Sequence, residues 1–371
     1  MILNYKRLGE YITLTDERNK NLKITNLQGV SINKEFIPSI ANIIGTDLSS
    51  YKIVRKGQFA YGPVTSRNGD KISVALLNGD DCIISSSYTS FEVTSEDLLP
   101  EYLMLWFRRP EFDRYARFMS NGSAREIFDW NNMCNVMLPI PSIQVQEKIV
   151  HNYKVVVDRI ELLKKIKRKY YLLINLIYTN IKSDTLISLV DFPNLKEINS
   201  GISKFDDYKK YIATGDVEFD EVVSTCEFIN YKERPSRANM EPKNKSLWFA
   251  KMQNTDKYLF FDELGSEEKK IILSTGFMGL QCESNLIYYL NAFVLTNDFI
   301  DQKNKYATGT TQIAINSSAL NQIVIPLPKE NIENYLDVLK SLFKNVKNLN
   351  NEINLLLNFK NNILSTLTKE V

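Results

Sequence analysis

Apolar residues recur at alternating intervals of three and four positions in two long stretches of the chain, residues 142–182 and 329–371. This spacing predicts long α-helices that each carry a coiled-coil seam. The first seam consists of Ile149, Tyr153, Val156, Ile160, Leu163, Ile166, Tyr170, Leu173, Ile177 and Ile181. The second seam consists of Ile332, Leu336, Leu339, Phe343, Val346, Leu349, Ile353, Leu356, Phe359 and Ile363. Because an exposed apolar stripe is unfavourable in water, we expect the two helices to pair in antiparallel orientation.

The segment that leads into the first seam returns before the second seam, displaced by 187 positions, as from Gly122 to Gly309. The match continues without a gap into both helices. Further matched pairs are Ser123 and Thr310, Asp129 and Asn316, Met133 and Leu320, Val136 and Ile323, Leu138 and Ile325, Pro139 and Pro326, and Pro141 and Pro328. A repeat of this length indicates two copies of one unit, a globular module followed by a helix.

The first module combines short helical and strand patterns. We predict helices over residues 5–12, 98–107 and 111–119, with Pro110 between the last two, and strands over 24–30, 52–61, 71–77 and 82–93. Turn signals at residues 68–70 and 78–80 bound the strands. The second module repeats these markers in order, from 186–189 to the helix at 286–294, but the sequence between them differs. A shared frame with divergent loops suggests that each module recognises something different.

These patterns predict an α+β protein in four parts. They are a first module at 1–141, a long helix at 142–182, a second module at 183–328 and a second long helix at 329–371. An antiparallel helix pair would place the two mixed modules at opposite ends, related by a pseudo-twofold axis.

Composition places the chain among ordinary globular proteins, with 44% hydrophobic and 24% charged residues and a net charge of +2. A nucleic-acid surface would therefore be a local basic patch. The four cysteines form no Cys-x-x-Cys pair, which favours a reducing compartment and neither a disulfide nor a metal site. No apolar run approaches membrane-spanning length, and we expect a cytoplasmic protein.

Signatures of catalysis are missing from the sequence. The chain has one histidine, His151, and no Walker loop, Gly-x-Ser-x-Gly or His-Glu-x-x-His pattern. The Asn/Asp-Pro-Pro-Tyr tetrapeptide of adenine-N6 methyltransferases is absent as well. Asp262, Glu268 and Lys270 form a weak nuclease-like trace without a counterpart in the first module. We predict no catalytic residue and no metal ligand.

Polar loops rich in Arg, Lys, Asn, Gln, Ser and Tyr remain as candidates, because these side chains read base edges and phosphates. In the first module the candidates for DNA contact are Arg18, Lys20, Lys23, Asn33, Lys34, Tyr61, Thr65, Ser66, Arg67, Asn68, Lys71 and Arg125. In the second module they are Lys232, Arg234, Arg237, Asn239, Lys243, Lys245, Lys251, Gln253, Lys257, Thr310 and Gln312. Gly122-Ser123 and Gly309-Thr310 have a competing explanation, since both pairs could simply shape a turn.

Two stretches resemble the specificity subunits of type I restriction-modification systems. Leu-Pro-Ile-Pro-Ser-Ile-Gln-Val-Gln-Glu-Lys-Ile-Val at 138–150 is similar to the segment that leads into the conserved helix of that family. Residues 57–63 through 85–88 resemble a target recognition domain. The second copy departs from this pattern, because Pro-Lys-Glu-Asn-Ile-Glu at 328–333 lacks the Gln-Glu pair. The order and duplication of the parts extend the resemblance to the whole chain.

The resemblance implies a non-catalytic DNA reader, in which each target recognition domain binds one half of a bipartite site. The paired helices would fix the spacer between the halves and dock two methyltransferase subunits and the restriction subunits. S-adenosylmethionine, ATP and Mg²⁺ would be bound by those partners and not by this chain. Two other interpretations stay open: a protein-interaction scaffold on a coiled-coil spacer, and the recognition part of a restriction endonuclease.

Overall fold

The computed structural model describes residues 5–39, 45–66, 68–121, 125–223 and 226–368. It confirms a mixed α+β protein with two long helices. The elements from the N-terminus through the first long helix are β1 (Tyr5–Arg7), β2 (Ile12–Thr15), β3 (Gln28–Val30), β4 (Phe36–Pro38), β5 (Lys52–Val54), β6 (Phe59–Tyr61), β7 (Val74–Leu76), β8 (Cys82–Ile84), β9 (Thr89–Val93), α1 (Pro100–Phe107), α2 (Pro110–Met119), α3 (Trp130–Cys134), β10 (Met137–Pro139) and α4 (Ile143–Ile181).

The remaining elements lead from the end of α4 to the second long helix. They are β11 (Lys182–Ser188), β12 (Leu195–Ile198), β13 (Lys209–Ile212), β14 (Val217–Glu218), β15 (Glu221–Val222), β16 (Phe228–Ile229), β17 (Ala238–Met240), β18 (Ser246–Ala250), β19 (Tyr258–Phe261), β20 (Ile271–Ser274), β21 (Phe277–Cys282), α5 (Leu286–Val294), α6 (Asn297–Lys305), β22 (Val324–Pro328) and α7 (Glu333–Thr366).

The chain forms two compact units, and each contains one module with parts of both long helices. The first unit comprises Met1–Glu161 and Asn354–Val371, and the second comprises Leu162–Ile353. The unit boundary therefore falls inside α4 and inside α7.

Each unit contains a four-stranded antiparallel sheet with the same connectivity. The strand order is β2-β9-β6-β7 in the first unit and β12-β21-β18-β19 in the second. The neighbouring strands also correspond. An isolated parallel bridge between Leu27 and Ile83 in the first unit takes the place of the parallel β13–β20 pair in the second. The two modules therefore share the topology of this sheet and one parallel pairing beside it.

Hydrogen bonds recur at the 187-residue displacement that the sequence repeat has. The hydroxyl of Tyr102 on α1 donates to the carbonyl of Pro139 at 3.0 Å, and the hydroxyl of Tyr289 on α5 donates to the carbonyl of Pro326 at 2.9 Å. The side chains of Asp129 and Asn316 each accept from the amide three residues later, at 2.8 and 3.1 Å. Since such a bond satisfies an otherwise unpaired amide at a helix N-terminus, both copies begin this turn in the same way.

The long helices run antiparallel within the second unit. Near one end, the amide of Lys329 donates to the carbonyl of Ile181 at 2.8 Å. Further along, Lys167 on α4 contacts Asn350 on α7. Ile174 and Tyr178 share a core with a row of α7 side chains. That row consists of Leu336, Leu339, Leu342, Phe343 and Val346.

The predicted seam is correct along part of each helix and wrong in two places. Leu173 is 42% exposed, whereas its neighbour Ile174 is buried. Phe359 is 53% exposed, and the next buried position of α7 is Leu364, which follows the seam position Ile363. Since an α-helix has 3.6 residues per turn, a strict 3.5-residue pattern drifts by about 20° per heptad, and the buried stripe moves to a neighbouring position.

Gln146 ties the start of α4 to the first module. Its side chain is fully buried, accepts from the amide of Leu99 at 2.9 Å, and donates to the carbonyls of Asp97 at 2.7 Å and Pro141 at 2.8 Å. This residue is the second Gln of the Gln-Val-Gln-Glu segment. At the displaced position, the start of α7, the chain has Glu333, which is exposed, so the side chain at that position does not repeat the buried contacts of Gln146.

Several short elements differ from the sequence prediction. Residues 5–12 form β1, a 3₁₀ turn and the start of β2 instead of one helix, because β1 pairs with β10, which is distant in sequence. The stretches at 52–61 and 82–93 are each two strands separated by a turn and not one strand. Pro110 begins α2, where the missing amide hydrogen of proline is harmless.

A buried ion-pair network connects both long helices to the second module. The ammonium of Lys167, which is 6% exposed, donates to Asp220 at 3.0 Å, to Asn350 at 2.9 Å and to Glu221. Asp220 also accepts from Tyr171 at 2.7 Å and from Asn350 at 2.9 Å. Because one lysine satisfies two carboxylates here, its loss would leave buried negative charge without compensation.

We expect Lys167→Met to lower the free energy of unfolding by about 3–5 kcal/mol, the range for breaking a buried ion pair by removing one partner. Urea unfolding of the full chain, followed by circular dichroism, measures this change. Lys165→Met, on an exposed position of the same helix, should stay within about 0.5 kcal/mol of the parent. Equal effects of the two substitutions would contradict the structural role of Lys167.

Candidate nucleic-acid interface

Two loops of the first unit meet to form a polar surface. One loop connects β6 to β7, and the other follows α2. They are joined by a bridge between Val64 and Ile127 and by a hydrogen bond of 3.0 Å from the amide of Thr65 to the carbonyl of Glu126. The first loop surface is defined here by the exposed or half-exposed residues Ser66, Asn68, Lys71 and Arg125. All four are candidates that the sequence singled out.

The corresponding loops of the second unit meet in the same way. Met252 bridges Ala314, and the amide of Gln253 donates to the carbonyl of Ile313 at 2.9 Å. A further bridge joins Thr308 to Ala314, as one joins Asn121 to Ile127 in the first unit. The second loop surface is defined by Lys251, Gln253, Lys257, Thr310 and Gln312. The two surfaces thus occupy equivalent places on one frame and carry different side chains.

Lys303 on α6 holds the β18–β19 loop from inside, and the sequence prediction missed it. Its side chain is 1% exposed, and the ammonium donates to the carbonyls of Ala250 at 3.2 Å, Met252 at 3.2 Å and Thr255 at 2.5 Å. Burial lowers the pKa of Lys303 to about 8. The repeat offers one signal in the sequence, because the 187-residue displacement aligns Lys303 with an apolar residue, Ala116. Ala116 is fully buried in the first unit.

The first unit anchors its β6–β7 loop with a carboxylate on the corresponding helix. Asp113 on α2 accepts from the amide of Ile72 at 3.1 Å and from the ammonium of Lys34 at 2.6 Å. Burial lowers the pKa of Lys34, and the carboxylate of Asp113 opposes that shift. Asp113 was also missed by the sequence prediction. Each loop surface is therefore held by one buried charged side chain, Asp113 from α2 in the first unit and Lys303 from α6 in the second.

Three of the predicted contact residues are buried and leave the candidate surface. Lys34 is 5% exposed and paired with Asp113, and Thr65 is 1% exposed with its hydroxyl on the carbonyl of Glu126. Tyr61 is fully buried in the core of the first module, where burial raises its pKa. Their side chains contact neighbouring elements of the first module and do not belong to the loop surface.

The other candidates of the first module lie outside the loop surface just defined. Lys20, Lys23 and Asn33 are exposed. Arg18 pairs with Asp16 at 2.6 Å and donates to the carbonyl of Ser50 at 2.7 Å. Arg67, Gly122 and Ser123 lie outside the described residues.

The stretch at 231–239, the strongest local candidate of the second module, is partly occupied by its own contacts. The Arg234 guanidinium lies 4.2 Å from the centre of the Tyr231 ring and donates to the carbonyl of Tyr231 at 2.5 Å. Lys232 and Arg237 are exposed, and Asn239 is half-buried in β17.

Two further lysines of the second module have partners, and a glycine has a structural role. Lys243 pairs with Glu241 at 3.5 Å, and Lys245 donates to the carbonyl of Glu283 at 3.0 Å. Gly309 has φ +125°, and a Cβ there would lie 2.3 Å from the carbonyl oxygen of Gln312. The turn therefore requires glycine at 309, which leaves Thr310 as the candidate for DNA contact in that pair.

The nuclease-like trace is engaged in structural contacts. Asp262 accepts from the hydroxyl of Tyr288 at 2.8 Å, Glu268 pairs with Lys347 at 2.7 Å, and Lys270 pairs with Glu267 at 3.1 Å. His151 is exposed on α4. In the described part of the chain, no group of three or more His, Cys, Asp or Glu residues is arranged to hold a metal ion. No described helix combines the length and apolarity needed to cross a membrane.

Comparisons with known proteins agree with this architecture. Residues 6–170 match a family described as Type I restriction modification DNA specificity domain. The type I restriction-modification system S subunit from M. genitalium is similar over 100% of this chain and 97% of its own, with 12% identity and a TM-score of 0.57. At that identity the similarity shows the fold alone.

Two other solved structures are similar over nearly their whole length at lower TM-scores. The HsdS subunit from Thermoanaerobacter tengcongensis has 14% identity, a TM-score of 0.39, and coverage of 98% of this chain and 96% of its own. A chain described under complex assembly and conformational transition of the type I R-M system has 15% identity, a TM-score of 0.45, and coverage of 98% and 97%. No curated protein matches the chain.

The family match lies on the module and helix whose residues carried the resemblance, and the resemblance is confirmed. Residues 6–170 belong to the family of type I restriction modification DNA specificity domains.

Proposed function

We propose that this chain is the DNA-reading specificity subunit of a type I restriction-modification enzyme, and that it carries no catalytic site of its own. Each loop surface reads one half of a bipartite target through base edges in the major groove. The long helices hold the two readers at a set separation and dock two methyltransferase subunits and the restriction subunits. The target adenine is flipped and methylated by those partners, which bind S-adenosylmethionine, while ATP and Mg²⁺ serve the restriction subunits.

One observation carries this proposal: the same pair of loops is joined by equivalent bridges in both units, but its polar side chains differ. The loops of the first unit carry Ser66, Asn68 and Arg125. The equivalent loops of the second unit carry Gln253 and Gln312. A constant frame with variable polar loops is the arrangement expected where binding residues determine specificity. Asn and Gln suit adenine, and Arg suits guanine.

Salt dependence distinguishes a DNA reader from a protein-interaction scaffold. A chain that neutralises phosphates releases counterions, and its affinity for duplex DNA falls steeply as salt rises. Methylome sequencing of a host that carries the intact system identifies the target and its spacer. Absence of methylation that depends on this chain would overturn the proposal.

Exchanging residues 183–328 for the same module of a relative with a different target should change one half of the methylated motif and leave the other half unchanged. The physical reason is that each loop surface is anchored within its own unit. Methylome sequencing before and after the exchange measures the outcome. A simultaneous change in both halves would contradict two separate readers.

Lys303→Met should loosen the β18–β19 loop, because three carbonyls lose their buried donor at about 1–3 kcal/mol each. We expect the amides of residues 251–257 to exchange at least about tenfold faster, since about 1.4 kcal/mol corresponds to that factor. As this loop loosens, the selectivity for the correct bases in the half-site that the second module reads should also decrease. Hydrogen exchange by mass spectrometry and methylome sequencing measure the two effects.

Lys305→Met is the matched control, because Lys305 is an exposed lysine at the end of the same helix. It should leave both the exchange rates and the motif unchanged. Faster exchange without any change in the motif would show that the 251–257 loop does not read DNA.

A further inference from the structure

A polar cleft in the first unit collects positive charge. It has a volume of about 270 Å³ and is lined by Lys34 from the β3–β4 turn, Lys71 from the β6–β7 loop, Arg108 at the end of α1 and Lys360 on α7. Asp113 is the carboxylate among the lining residues. Lys34, Lys71 and Arg108 therefore lie around one carboxylate, and this excess of positive charge favours the binding of an anion.

The single carboxylate of the cleft is already used. Oδ1 of Asp113 accepts from both the ammonium of Lys34 and the amide of Ile72. Arg108 donates only weakly to the carbonyl of Lys34, at 3.5 Å. Among the described residues, neither Lys71 nor Arg108 forms an ion pair with a carboxylate within 4.0 Å. Both cations remain available to an incoming anion.

The positive charges of the cleft act on one another. After burial itself and the opposing effect of Asp113, the charges of Arg108 and Lys71 lower the pKa of Lys34 further. The turn that presents Lys34 is held closed by two backbone hydrogen bonds between Ser31 and the residues at 34 and 35, of 3.0 and 2.9 Å. Lys34 has φ +65° in this turn, a conformation that non-glycine residues adopt rarely. The turn on this side of the cleft therefore has a fixed backbone conformation.

At the positions displaced by 187 from Arg108 and Asp113, the second unit has apolar residues. Arg108 corresponds to Leu295 and Asp113 to Ile300, and both of those side chains pack against the apolar core of the second unit. The cleft is therefore a property of the first module and not of the shared frame.

The cleft adjoins the first loop surface, because Lys71 belongs to both. Ser66 and Asn68 lie in the same β6–β7 loop, and the amide of Lys71 donates to the carbonyl of Asn68 at 3.3 Å. A double helix whose bases met that loop would bring its own phosphates to the neighbouring cations. Phosphate contacts fix the register of a protein on DNA, whereas base contacts supply specificity.

We infer that this cleft binds one backbone phosphate of duplex DNA beside the half-site that the first module reads, with Lys71 and Arg108 as its direct partners. The inference rests on the proposed function and adds to it one contact between the first module and the DNA backbone. Lys34 and Asp113 act as positioning residues that hold the loop and the turn around the phosphate.

The test is the salt dependence of duplex binding by the full chain, co-expressed with the modification subunit of its system. The probes are a duplex that carries the methylated motif and a duplex of shuffled sequence. The double variant Lys71→Gln/Arg108→Gln should weaken binding to both duplexes by a similar factor. The slope of log affinity against log salt should decrease by about 0.9, the value for one phosphate contact.

Lys6→Gln/Lys56→Gln is the matched control, since it removes the same charge from lysines of the first unit that do not line the cleft. Its slope should equal that of the parent. A parent slope in the double variant would overturn the phosphate site, and so would a loss of affinity confined to the motif duplex, which indicates a base contact. If the parent itself shows no salt-sensitive duplex binding, the proposed function fails and the inference fails with it.

Discussion

Burial of apolar side chains between the long helices and the adjoining module is the interaction on which each unit depends. In the second unit, the Tyr178 ring of α4 lies 5.1 Å from the ring of Tyr289, whose hydroxyl in turn binds the carbonyl of Pro326 at the end of the module. In the first unit, Leu364 and Leu367 of the C-terminal segment share a core with Tyr102. Module and helices thus have one continuous core in each unit, and the loops at the surface can vary without disturbing it.

The sequence predicted the duplicated plan well, since a 187-residue repeat and two long apolar stripes are properties of the chain itself. It predicted the exact helix faces less well. A pattern that alternates three and four positions places Leu173 in the core, but the accumulated rotation of a real helix buries Ile174 instead. The short strands at 5–7 and 137–139 were not predicted, because neither is stable without the other and their pairing joins distant parts of the sequence.

The candidate site was predicted in part for a similar reason. Polar residue types singled out Asn68, Gln253 and Gln312, and the fold places these residues on equivalent surfaces. Residue type alone could not distinguish them from Tyr61 or Thr65, whose side chains are enclosed by neighbouring elements. The buried charges of Lys303 and Asp113 were missed because their partners lie in loops and turns distant in sequence.

The contact between Lys167 and its partners also has a consequence for how such a chain can change length. An apolar seam tolerates sliding by whole turns, but a lysine that must meet Asp220 and Asn350 together permits one alignment only. Residues added to α4 between Lys167 and the second module would pull the ammonium away from Asp220. Residues added before Lys167 and after Asn350 would leave that contact intact. Insertions that lengthen the helices and keep this contact are therefore confined to the part of α4 before Lys167 and the part of α7 after Asn350.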